Sequence, residues 1–174
     1  AVPPIYSRIL EEADARGISL RGVRNSFSGA MALPDDLIAR WESATGGLLV
    51  EGYGMTESSP ITVGNPMSTA RRPESIGVPF PDTDIRIADK DDPSRDAPPG
   101  EPGELLVKGP QVFPGYWRNP EATAATFHDG WLRTGDVVRQ EPDGFLRIVD
   151  RLKEMIVTGG FNVYPSEVEA VLRT

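Results

Sequence analysis

The sequence predicts an α/β chain in which the end of a parallel α/β subdomain is followed by a small antiparallel β subdomain. Three observations predict it. Helix-period and strand-length apolar segments alternate between residues 4 and 53, and short strand-like runs separated by Gly, Pro and Asp fill residues 75–150. An S-x-x-E signal then opens a further helix at Ser166.

Residues 4–16 place Ile5, Tyr6, Ile9, Leu10 and Ala13 on one stripe opposite acids, and Gly17 follows as a C-terminal cap, so an amphipathic helix is expected. Residues 23–30 read as a strand ending in Ser28-Gly29-Ala30. Pro34 opens a second helix carrying Leu37, Ile38 and Trp41, Gly46-Gly47 closes it, and residues 48–53 form a second strand. That order suggests parallel strands, with ligand chemistry in the loops after Ala30 and Tyr53, at the strands' C-terminal ends.

Composition shifts near residues 65–73, after which IRIA, ELLVKG and FLRIV alternate with turn residues in the manner of antiparallel strands. The acid-rich residues 89–103 have no apolar periodicity and are expected to be a solvated hairpin loop without function. Ser166 and Glu169 form a capping box for a helix with Val168, Val171 and Leu172 on its buried side, and the chain is expected to stop inside that helix.

A length of 174 residues suits one ordinary domain or two small ones, and 39 % hydrophobic residues suffice for a core. Against 18 Lys and Arg stand 26 Asp and Glu; the net charge of −8 repels phosphate backbones, so nucleic acid is not an expected partner. The absence of Cys excludes disulfides, thiolate nucleophiles and Cys-type zinc sites, and is compatible with a reducing, cytoplasmic compartment. His128, the one histidine, sits in FHDGWL beside an Asp129-Gly130 turn and is read as a surface loop residue rather than a triad member. No run approaches the roughly 18 apolar residues of a membrane span and no secretory signal is visible; peripheral membrane contact stays open. The first residue is Ala, so the chain is expected to be cut from something longer.

The segment EGYGMTESSP, residues 51–60, carries the most chemistry. A Tyr53 face can stack on a base, Gly54 lets backbone approach a ligand, the Thr56 hydroxyl can bond a phosphoryl oxygen, and Glu57 offers the hard oxygen that magnesium prefers. A strand ending in a Gly turn explains the same residues.

Downstream the chain reads GELLVKGPQVFPGYWRNPEAT, then WLRTGD, then DGFLRIVDRLKEMIVTGGFNVYPSEVEAVL. In this order and at these intervals, with EGYGMTE before them, the segments resemble the ANL superfamily of adenylate-forming enzymes: acyl- and aryl-CoA synthetases, luciferases and peptide-synthetase adenylation domains. The run from EGYGMTE through FLRIVDRLKEMI to GFNVYPSEVE looks most like the bacterial long-chain fatty-acid–CoA ligases. The resemblance covers the chain from about Ser28 onward. It implies three parts: residues 1–74 as the latter part of an α/β nucleotide- and acyl-binding subdomain, 75–150 as a β-rich subdomain, and 151–174 as a hinge and the start of a C-terminal α+β lid domain.

By resemblance, Tyr53 and Gly54 lie against adenine, Thr56 on a phosphate and Glu57 on magnesium, the last two as catalytic contacts. Gly29 and Ala30 border adenine and the acyl pocket through their backbone, although close strand packing explains small residues there too. Asp136 of RTGD resembles the aspartate that accepts both ribose hydroxyls, and an Asp at a strand end is also a common turn former. Arg151 resembles an arginine that binds the same nucleotide; a surface ion pair with Asp150 is the other reading. Lys153 falls at the family's hinge position, and Gly159 and Gly160 at the loop beside the pantetheine arm of CoA, where a simple hairpin would also use them. The implied reaction uses ATP, Mg2+ and CoA: a fatty acid attacks the α-phosphate to give an acyl-adenylate, and the CoA thiol then displaces AMP.

Two family features are missing from these residues. Nothing before Tyr53 resembles the Ser/Thr/Gly-rich phosphate loop with its lysine, and none of Lys90, Lys108 and Lys153 stands in the context of the C-terminal adenylation lysine. The expectation is therefore a fragment of a ligase, inactive by itself. A ligase for another acid such as malonate, or a non-catalytic binding module, are the competing readings.

Overall fold

Period-3.6 apolar spacing between residues 4 and 45 becomes two helices beside a parallel strand pair in the computed structural model, which describes residues 1–158 and 161–172. The chain divides into two units, Ala1–Phe80 and Pro81–Thr174.

In the first unit, α1 (Pro3–Ala15) ends as expected at Gly17, whose backbone is left-handed; the Ile18 N–H reaches back to the Ala13 carbonyl at 2.8 Å. Its stripe is only partly covered. Tyr6 and Ala13 are buried, whereas Ile5 and Ile9, on the flank of that stripe, are 48 and 37 % exposed. Strand β1 (Asn25–Ser28) is shorter than the expected residues 23–30, because Val23 belongs to a turn closed on Leu20 and Ala30 takes a left-handed φ of 67° that ends pairing. Helix α2 (Asp35–Thr45) starts after Pro34 and buries Leu37 and Trp41. The Trp41 ring meets Tyr6 edge-on at 4.7 Å, and its Nε1 donates to Ser26 Oγ at 2.9 Å, so the indole is both packed and satisfied.

Strand β2 (Leu48–Tyr53) runs parallel to β1, with Ser28 opposite Glu51. Two short antiparallel strands, β3 (Val63–Gly64) and β4 (Val78–Pro79), extend the sheet in the order β1-β2-β3-β4. The connection between them is tied down. Arg71 forks onto Glu42 of α2 and donates to the Leu49 carbonyl, while the Asn65 amide donates to the carbonyls of Glu51 and Ser75.

The second unit is built on an antiparallel sheet of β5 (Asp84–Ala88), β6 (Gly103–Lys108), β7 (Phe127–His128), β8 (Trp131–Gln140) and β9 (Leu146–Arg151), with β8 paired to β6, β7 and β9. Leu105, Leu106, Val107, Leu132, Val137, Val138 and Leu146 are fully buried in it. Residues 89–102 form the expected hairpin connection between β5 and β6. A short helix, α3 (Pro120–Thr126), is capped by Asn119.

His128 is not a loop residue as expected: it lies in β7, half-buried, because Asp129 and Gly130 (φ 48 and 78°) close a two-residue hairpin that draws it into the ladder opposite Trp131. Beyond β9, β10 (Ile156–Thr158) and β11 (Phe161–Val163) pair with each other, and α4 (Pro165–Leu172) follows. Val168, Val171 and Leu172, expected on the buried side of this helix, are 48, 74 and 80 % exposed. Apolar periodicity marks a face that can be buried; it does not supply the layer that buries it.

Candidate functional site

The parallel pair β1 and β2 brings two sequence-predicted segments to one sheet edge, since Ser28 opposite Glu51 places Gly29-Ala30 and residues 53–57 at the strands' shared C-terminal end. Gly29 packs tightly there: an added Cβ would stand 3.2 Å from the Gly52 carbonyl. Ser28 is fully buried, and its Oγ has no hydrogen-bond partner among the described residues. Tyr53, at the end of β2, is 9 % exposed.

The loop after Tyr53 folds around one buried hydroxyl. Ser58 Oγ accepts from the Met55 N–H (3.1 Å) and from Thr62 Oγ1 (2.7 Å), and donates to the Met55 carbonyl (3.0 Å). These bonds hold Thr56–Ser58 in a single 3₁₀ turn, with Thr56 exposed and Glu57 half-buried. A Cβ at Gly54 would overlap the Pro60 carbonyl, so the close approach requiring this glycine is to the loop's own backbone. Of the two readings the sequence allows for Gly54, approach to a ligand and a tight turn at a strand end, the packing supplies the second.

In the second unit, RTGD forms a bulge in β8. The register passes from Glu104 opposite Val137 to Leu106 opposite Arg133, leaving Thr134, Gly135 and Asp136 across from Leu105 alone. Gly135 takes φ 73°, a conformation glycine adopts without strain. Hydrogen bonds hold the bulge: Thr134 Oγ1 donates to the Leu105 carbonyl (2.8 Å) and accepts from the Asp136 N–H (3.1 Å), and the Gly135 carbonyl accepts from Leu152 (2.9 Å). The remaining Gly135 N–H donates to Glu104 Oε1 at 3.2 Å, and Glu104 is in turn forked by Arg133 at 2.7 and 3.0 Å.

Asp136 emerges from this bulge directly opposite Arg151 of β9, whose Nε lies 3.2 Å from its carboxylate. The aspartate side chain is 13 % exposed and the arginine 66 %. Asp150 accepts the Arg151 backbone N–H at 2.8 Å, while the Arg151 guanidinium pairs with Asp136. Lys153 is exposed in the turn that follows, which is closed by the Glu154 and Met155 N–H groups on the Arg151 carbonyl. Gly159 and Gly160 lie outside the described residues.

Sequence reasoning missed Glu104 and Arg133. The signal was an acid heading the apolar run ELLV, a place where a charged group is buried only with a partner. Among the described residues no group of three or more His, Asp or Glu could hold a metal ion. Glu57 as a single carboxylate still fits magnesium, which is commonly held by one or two carboxylates together with substrate phosphates. No described helix is long and apolar enough to cross a membrane.

The family model for AMP-binding enzymes matches residues 1–117. The chain is 45 % identical over 171 residues to a long-chain-fatty-acid–CoA ligase of Yersinia pestis, a match covering 98 % of this chain and 30 % of the relative. Among solved structures, ATP-bound MatB from Rhodopseudomonas palustris is 36 % identical with a TM-score of 0.81, over 98 % of this chain and 34 % of that one. O-succinylbenzoate coenzyme A synthetase from Bacillus subtilis, in complex with ATP and magnesium ion, is 33 % identical with a TM-score of 0.80, over 99 % and 35 %. The chain thus spans about a third of the length of the relatives it matches.

Proposed function

The chain belongs to the AMP-binding enzyme family, and on that premise we propose that it is a section of an ATP-dependent fatty-acid–CoA ligase, an AMP-forming acid–thiol ligase. The observation that carries this reading is the β8 bulge that sets the Asp136 carboxylate beside the Arg151 guanidinium. A carboxylate with two acceptor oxygens suits a vicinal diol, and a guanidinium suits hydroxyl and phosphate together.

In the first half-reaction an oxygen of the substrate carboxylate attacks the α-phosphorus of ATP and pyrophosphate leaves with the bond it held. In the second, the CoA sulfur attacks the acyl carbon, AMP departs with the carboxylate oxygen, and the thiol proton passes to solvent. Neither step needs a side-chain nucleophile; positioning and charge neutralisation supply the rate. Asp136 and Arg151 hold the nucleoside, Tyr53 and the backbone at Gly29 and Ala30 border adenine, and Thr56 orients a phosphate, on the turn that Gly54 lets pack against Pro60. Glu57 would hold magnesium, which would supply charge to offset that of the phosphates. Lys153 serves as the hinge of a lid whose Gly159 and Gly160 come beside CoA. A cytoplasmic location, where ATP and CoA are found, accords with this chemistry.

The acid is assigned from the fatty-acid relative at 45 % identity over that of O-succinylbenzoate at 33 %. Incubating the full-length protein with ATP, magnesium, CoA and either palmitate or malonate tests it. Thioester and AMP from palmitate are expected; turnover of malonate alone would move the assignment to small diacids, and ADP as product would overturn the ligase reading.

A further inference from the structure

Glu104 is 1 % exposed, at the head of β6, and does not belong to the set of nucleotide contacts. A carboxylate so deeply buried is stable only when its acceptor sites are filled. Here Arg133 fills them with a forked pair from Nε and a terminal nitrogen, and the Gly135 N–H takes another. That N–H lies in the segment the register leaves without a ladder partner, and the residue after it is Asp136. The buried carboxylate therefore supplies the hydrogen bond that strand pairing cannot, at the one point where the backbone must turn through left-handed space.

The geometry points to Glu104, locked by Arg133, as a positioning residue that aims the Asp136 carboxylate at the ribose hydroxyls of the nucleotide. This rests on the reading of Asp136 given above. With the lock gone, the bulge keeps its Thr134 and Leu152 bonds, so the sheet persists while the direction of the aspartate relaxes. Affinity for the ribose diol should then fall more than fold stability does.

The test compares dissociation constants of AMP and 2′,3′-dideoxy-AMP for the full-length protein and its Glu104→Gln variant, with thermal unfolding followed in parallel. The wild type should prefer AMP by about tenfold or more, the worth of a charge-assisted contact to the diol. Glu104→Gln should shrink that preference at least about threefold, since the two groups act in one network. A preference unchanged in the variant would overturn the positioning role and leave the Asp136 reading intact. No preference in the wild type would overturn the Asp136 reading, and the proposal with it. Should Glu104→Gln fail to fold, Arg133→Lys, which keeps the charge and loses the fork at a partly exposed site, decides by the same ratio: a fall supports the proposal and an unchanged value overturns it.

Discussion

Arg151 stands directly across the β8–β9 ladder from Asp136, its Nε 3.2 Å from the carboxylate. Two residues 15 positions apart in sequence are thus brought side by side by strand register (151 − 136 = 15). The arginine is 66 % exposed, so the pair adds little to folding; on the proposed function it serves nucleotide binding. Arg151→Ala should leave the unfolding midpoint within about 1 kcal/mol of wild type. It should weaken AMP binding to the full-length protein by roughly tenfold. Titration calorimetry and a thermal melt check the two halves; equal AMP affinity would remove Arg151 from the site.

Burial pushes the Glu51 carboxyl up to about 7, with Asp35 and Glu74 adding like-charge repulsion against the Leu33 N–H it accepts. A carboxyl whose folded value exceeds the unfolded one, near about 4.3, stabilises fully below the unfolded value. That contribution is lost as pH rises through about 7. Glu51→Gln stays neutral throughout, so the variant should gain on wild type as pH climbs from about 4 to about 8, by roughly 1–2 kcal/mol after solvent screening of a half-buried group. Urea midpoints at acid and alkaline ends of that window measure it. A difference independent of pH would contradict the assignment.

The Pro60 carbonyl occupies the space that a side chain at Gly54 would need. Gly54→Ala should therefore cost about 2 kcal/mol or more, because backbone rather than a flexible side chain must move. The displaced turn carries Thr56 and Glu57. Denaturant unfolding of the chain reads the loss, and an unchanged midpoint would show that the loop yields freely.

Much of the first unit is legible in the sequence, since Pro34, Gly17 and Gly46 punctuate helices whose apolar stripes have one period. The RTGD bulge is not, because a bulge is a property of two strands and Leu105 gives no hint that it will face three residues. Glu104 escapes for the same reason: its partners Arg133 and Gly135 meet it only through register. Nor could periodicity show that Val168, Val171 and Leu172 would lie open, as burial depends on what is packed over a face.

Acid-dependent exchange of labelled pyrophosphate into ATP tests the central claim most directly, because it reads adenylate formation alone. The full-length protein should catalyse it only with magnesium and a fatty acid present. Asp136→Ala should slow it roughly ten- to hundredfold, the loss of a charged contact of about 1.5–3 kcal/mol. Exchange that ignores the acid, or that Asp136→Ala leaves unchanged, would contradict the account.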